Sequence, residues 1–158
     1  MEYLAQVASG HLQWNLDEMQ ERVAQLDPGV NIPEDVLKAA AGNIWHGVPM
    51  MKLLLNKELV KIDITEEVVK AAAGNEMAGK GVMTVLLEQI GADVVITKEV
   101  SKAAAANHGS GGKVMTLLFE RREPEVVITE EVVKAAVAND RSGKEVITLL
   151  LEWRESTW

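Results

Sequence analysis

The chain contains no cysteine among its 158 residues, which removes any disulfide framework and any thiolate metal site. It is almost without aromatic rings, 4% in all, so alanine, valine, leucine and methionine must fill an interior drawn from a hydrophobic fraction of 47%. It lacks an uninterrupted apolar run of the ~18 residues that a membrane span needs. It also lacks a basic segment followed by an apolar one near Met1, so no secretory signal is expected. With no thiols to oxidise, the expected location is cytoplasmic. Concentrated positive charge is absent too. The net charge is −8, and no 32-residue unit carries more than +1. Nucleic-acid backbones are bound mainly through clustered Lys and Arg, so no nucleic acid and no membrane is expected as a partner. The acidity serves solubility.

What is present in abundance is repetition. Ile32, Ile64, Ile96 and Ile128 stand 32 residues apart, and each opens nearly the same phrase: ITEEVVKAAAGN from Ile64, ITKEVSKAAAAN from Ile96, ITEEVVKAAVAN from Ile128. In the second unit the phrase starts Ile32-Pro33-Glu34-Asp35-Val36-Leu37. Periods of this size mark arrays of supersecondary units. The units are set at residues 1–31, 32–63, 64–95, 96–127 and 128–158. The fold class read from them is all-α: an α-solenoid of five stacked helix-turn-helix repeats.

The third unit serves as the type. Thr65 stands at a helix N-cap, with Glu66 and Glu67 in the first turn where the helix dipole favours them. Ile64 can staple onto Val69, and Pro33 replaces the threonine in the second unit at a place that tolerates proline. Helix A runs through Val68 to Ala73. It is expected to stop at Gly74-Asn75, residues that accept left-handed backbone. Helix B spans roughly Lys80 to Gln89. Val82, Met83, Val85, Leu86 and Leu87 surround most of it, and a helix apolar on nearly all sides must be buried on nearly all sides. One hairpin cannot do that, whereas a stack can. The recurrent Asn43, Asn75, Asn107 and Asn139, with His11 in their place in the first unit, read as a structural ladder tying loop backbone in the same or the next unit. A row of amides reading a ligand is the sharper alternative.

The ends differ. Glu18, Glu21 and Arg22 of the first unit align with Met50, Leu53 and Leu54, while Met19 and Val23 keep inward positions. This is the pattern of a terminal cap. The fifth unit keeps the internal pattern to Leu151, which leaves an apolar outer face of a kind soluble monomers seldom tolerate. The expectations are self-association through Val146, Leu150, Trp153 and Trp158 as a homodimer about a two-fold axis, a lid formed by Trp153 and Trp158, or a longer array.

The wording ITEEVVKAAAGN followed by Gly-Lys and a Val-Met-Thr-rich helix resembles the short, ankyrin-like helical repeats that occur in many tandem copies in fungal proteins, some of them behind NACHT-type nucleotidase modules. The resemblance covers residues 32–158 and is poor over 1–31. The threonine-proline-leucine-histidine signature of true ankyrin repeats is missing, and the period is 32 rather than about 33. The resemblance implies a curved helical stack used for recognition. It brings no catalytic residue with it.

Motifs that carry chemistry are weak. His108-Gly109-Ser110-Gly111-Gly112-Lys113 fails as a phosphate loop: Asn107 stands where glycine is needed, and Val114 stands where Ser or Thr should hold magnesium. The stretch reads as a flexible loop, with Gly79-Lys80 and Gly143-Lys144 as its counterparts. His11, His46 and His108 fall in three units, about 10 Å apart per unit by helix width, so no metal site and no cofactor is expected. No Ser, Thr or Cys nucleophile stands in a suggestive pattern.

Variation within the repeat is the better signal, and it concentrates in the loop between helices A and B. Trp14 and Trp45 share a register there. They either pack beneath the loops or form a binding hot spot. The candidate partner-binding residues are Trp14, Trp45, His46, Met77, His108 and Arg141. The leading function is a non-enzymatic scaffold that binds a protein or peptide along this ridge and the adjacent helix A surface. The alternatives are self-assembly through the C-terminal face, and a small-molecule site or enzyme pocket near Trp14, Trp45 and His46.

Overall fold

The computed structural model describes residues 16–27, 29–55, 62–122 and 125–156. Trp14, Trp158 and His11 lie outside them. Among the described residues the chain forms nine α-helices and no β-strand. They are α1 (Leu16–Ala24), α2 (Glu34–Gly42), α3 (Gly47–Leu55), α4 (Glu66–Ala73), α5 (Gly79–Gln89), α6 (Lys98–Ala106), α7 (Gly111–Arg122), α8 (Glu130–Ala138) and α9 (Gly143–Ser156). No helix among them is long and apolar enough to cross a membrane.

The even-numbered helices are the A helices and the odd-numbered ones the B helices. Each A helix packs on the A helices of adjoining repeats, each B helix on its B neighbours, and each hairpin closes on itself. The result is a two-layer stack of repeats, as the 32-residue period requires. Its core is linear. Val36, Leu37, Ala40 and Ala41 of α2 are buried, as are Val68, Val69, Ala72 and Ala73 of α4 and Val100, Ser101, Ala104 and Ala105 of α6. In α8 only Val132 and Ala136 are buried, while Val133 and Val137, equivalent to Val69 and Ala73, are 39% and 72% exposed. The first pair of positions is covered within the hairpin and the second pair by the following repeat. At the other end α1 buries Met19 and Val23 and exposes Glu21 and Arg22.

Two local features make the A–B junction. The first is asparagine. In Asn107, Nδ2 donates to Ala73 O (2.8 Å) and Asn75 O (2.9 Å) of the preceding repeat, and Oδ1 accepts from Gly109 N (3.1 Å) and Ser110 N (2.9 Å) of its own loop. Asn75 and Asn139 repeat the pattern, at 2.9 and 2.9 Å to Ala41 O and Asn43 O, and at 3.0 and 2.9 Å to Ala105 O and Asn107 O. Four backbone groups are satisfied by one side chain, so the ladder reaches the preceding repeat and the residue's own loop. The left-handed helix end does not form. Asn43, Asn107 and Asn139 have φ of −69, −70 and −83°, and among the described residues only Gly29 and Gly91 have positive φ. An amide that terminates helix A and starts helix B makes the left-handed turn unnecessary.

The second feature is the glycine four residues on. Gly47, Gly79, Gly111 and Gly143 are the first residues of the B helices and are all buried. A methyl group on Gly143 would sit 2.2 Å from Ala136 O, and one on Gly111 2.7 Å from Ala104 O. Helix B therefore starts against the last carbonyls of helix A, a close approach that only glycine allows. Gly79-Lys80 and Gly143-Lys144 accordingly open helices. The His108–Lys113 stretch is a tight three-residue turn followed by the first turn of α7, where the sequence alone reads as a flexible loop. At the A-helix starts Thr97 and Thr129 accept from Val100 N and Val132 N, whereas Thr65 occupies the same position without making that bond.

Asn107 gives the direct test. Replacement by Ala removes five hydrogen bonds and takes the side-chain donor from buried Ala73 O, while Asn75 O keeps Gly79 N and Ser110 Oγ; the expected loss is about 3 kcal/mol in guanidinium unfolding. Asn107→Asp keeps the acceptor but directs a carboxylate at two carbonyls. Its folded pKa is then raised, so this variant should be the less stable of the two at pH 7 and should recover as the pH falls through that pKa. Equal stability of all three proteins would refute the ladder's role.

Candidate interaction ridge and terminal face

The asparagine-held loops stack along one edge of the array. Their first two positions point outward: Ile44, Glu76, His108 and Asp140 in one row, and Trp45, Met77, Gly109 and Arg141 in the next. Trp45 is 70% exposed, Met77 59% and Ile44 42%. Trp45 therefore does not close the core, and burial beneath the loops is excluded for this residue. Its backbone is nevertheless held in place, because Trp45 N and His46 N both donate to Asn43 Oδ1, at 3.0 and 2.8 Å. His46 is half-buried at the base of the loop. Met77 and Arg141 are tethered the same way, to Asn75 and Asn139.

Further along, the ridge changes character. His108 lies between two acids contributed by the flanking repeats, Nδ1 3.9 Å from Glu76 Oε1 and Nε2 3.6 Å from Asp140 Oδ1. Gly109 rests on the loop before it, where a methyl group would stand 2.2 Å from Glu76 O. The structure thus sets Ile44 and Trp45 in the first described loop, Met77 beside Glu76 in the second, and His108, Asp140 and Arg141 in those that follow. Ile44, Glu76 and Asp140 were not singled out from the sequence. The signal was available in the column of residues directly after each asparagine, which varies as freely as the tryptophan column. No group of three or more His, Asp or Glu residues suited to a metal ion occurs among the described residues.

The adjoining A-helix surface is charged with mixed signs. Glu67 bonds Lys70 of its own helix and Lys38 of the repeat before it, the latter at 3.1 Å. The Lys70 ammonium first, and then Lys38, hold the Glu67 carboxyl below its ordinary value. Any stability from this pair is present above the ordinary carboxylate range and lost as the pH falls through the depressed pKa; half-exposure to water keeps it small. Arg122 acts between repeats at the opposite edge, where its guanidinium donates to Gly91 O and Val94 O, both at 2.8 Å, and also bonds Glu125.

The residues singled out for the C-terminal face are placed differently from the expectation. Val146 is fully buried and presents no joint, whereas Leu150, 8% exposed, reaches the surface only as a wall of the terminal groove. Helix B is apolar on most sides, and Val146 faces its own hairpin and the repeat before. Trp153 is half-buried and stacks on Phe119 of the preceding repeat, with ring centroids 5.6 Å apart. The open face consists instead of Val133, Val137 and Leu151, at 39, 72 and 56% exposure, beside a groove of about 390 Å³ lined by Ile128, Val133, Ile147, Leu150, Leu151 and Trp153.

The family described as "Domain of unknown function (DUF7104)" matches the chain four times, at residues 25–51, 53–83, 85–115 and 117–146. The chain belongs to that family. Each match spans an A helix, its asparagine loop and the start of a B helix, so the family unit coincides with the structural repeat in a shifted phase. No curated protein and no solved structure matches the chain.

If Trp45 is a surface residue on a rigid loop, Trp45→Ala should leave thermal stability unchanged to within about 0.5 kcal/mol, read by calorimetry. A loss of several kcal/mol would return the ring to the core.

Proposed function

We propose that this chain is a non-enzymatic scaffold that holds a protein or peptide partner along the A–B loop ridge. Ile44, Trp45 and Met77 serve as the apolar anchor, and Glu76 and Asp140 face cationic residues of the partner. The observation that carries the reading is an indole 70% exposed on a loop whose amides are tied to Asn43. Tryptophan is enriched in hot spots because one side chain brings a large area and a donor. A loop already fixed in position has little freedom left to lose on binding, which is the main source of affinity in preorganised sites. Two further features support a binding role over a reaction. The repeat units differ most in these loops, and the resemblance to ankyrin-like arrays implies a stack used for recognition. The acidic balance of the chain, −8 overall, favours partners of opposite charge.

Selection of a displayed peptide library on the full chain tests this. The expected binders carry large apolar residues next to Lys or Arg, and Trp45→Ala should weaken them about 30-fold or more, the ~2 kcal/mol that defines a hot spot. Binders that hold the Trp45→Ala chain as tightly as the parent would contradict the ridge as the binding edge.

A further inference from the structure

The outer face of the fifth repeat is a surface whose complement is visible three times within the same molecule. Val133 takes the position of Leu37, Val69 and Ser101, and Val137 that of Ala41, Ala73 and Ala105. All six of these equivalents are buried at 0 or 1% exposure by the following hairpin. Ile147, half-buried here, corresponds to Met51, Met83 and Met115, all fully buried. The polar part of the joint recurs as well. In each internal repeat the carbonyls at the positions of Val137 and Asn139 receive the amide of the next asparagine, at 2.8–3.0 Å. Among the described residues, no side-chain amide is placed on Val137 O or Asn139 O.

We propose that this face is the receiving half of a repeat–repeat joint. Its occupant is a helical hairpin of the same 32-residue class, carried on another polypeptide, whose ladder asparagine donates to Val137 O and Asn139 O. Three observations select that occupant. A two-fold pairing of the face with itself would set carbonyl acceptors against carbonyl acceptors and bring no donor, because the Asn139 amide is already spent on Ala105 O and Asn107 O. The first repeat of a second copy is a poor donor: His11 stands in the asparagine position, and its B helix exposes Glu21 and Arg22. Within the described residues the chain does not turn back to supply that hairpin itself. In the third repeat the chain turns back at Gly91, with φ +65°, whereas α9 continues as helix through Glu155, the equivalent position. Val137 is bulkier than the alanines it replaces, so it should limit the affinity and help to choose among hairpins.

The test uses the full chain as receptor. The donor is the same chain with residues 1–31 replaced by a copy of residues 96–127, and with Val137→Lys to block its own terminal face. Each should sediment as a monomer, and their mixture as a 1:1 complex. Val137→Lys in the receptor should abolish the complex, and Val137→Ala should tighten it several-fold. Exchanging the donor's new ladder asparagine for alanine should weaken it at least tenfold, the equivalent of ~1.4 kcal/mol. A folded donor that gives no complex overturns the proposal. So does a receptor that dimerises alone and is dispersed by Val137→Lys, since the occupant is then a second copy. If the donor does not fold, a copy of residues 64–127 joined behind Trp158 through a flexible linker decides the matter. Slower amide exchange at Val133 and Val137 is expected, and unchanged exchange counts against the joint.

Discussion

Half of each A helix's dry surface in this molecule is borrowed from the neighbouring hairpin. An A helix of eight or nine residues with three or four alanines cannot form a core with its own B helix alone. Val69 and Ala73 are sealed only because α6 lies on them, and Val133 and Val137, with no described helix in that place, stand open. The rest of the architecture follows from this constraint. Stacking must bring A helices close, which calls for alanine and glycine. Close stacking traps the ends of helices in the dry interior, and their backbone groups need partners. One asparagine per repeat supplies them, accepting from its own loop and donating to the repeat before.

The same asparagine links the fold to the candidate site. By fixing the first two loop residues it turns a variable sequence into a rigid edge, so that side chains there are free of structural duty while their backbone is not free to move. That separation accounts for the loop column containing Trp45, Met77 and Arg141 while the asparagines beside it are unchanged; Gly109 is the exception, held to glycine by Glu76 O of the loop before it. It also explains the mixed character of the edge, apolar near the second repeat and charged from the third onward, on one continuous scaffold.

Much of this was legible in the sequence, and the remainder was hidden for identifiable reasons. The 32-residue spacing located every described helix, and the polar substitutions at Glu21 and Arg22 distinguished the first B helix from the others. The ladder was legible from repetition alone. Its donors were not, because their partners lie 32 and 34 residues back in the chain. The helix-opening glycines looked like loop residues, since their requirement comes from a carbonyl of another helix. Val146 was misplaced for a similar reason. On a helix apolar nearly all round, periodicity cannot tell the side that meets its own hairpin from the side that meets the next. Arg122 carried no signal, as its carbonyl partners Gly91 O and Val94 O belong to the link between repeats.

The central claim, that burial is nearest-neighbour and nothing more, is tested most directly by amide NMR on a chain ending at residue 127. Loss of the fifth repeat should move resonances in the fourth, chiefly around Ser101, Ala105 and Leu118, and leave those of the second and third where they were. Collapse of dispersion along the whole chain, or shifts spread evenly through it, would show a single shared core and contradict the account.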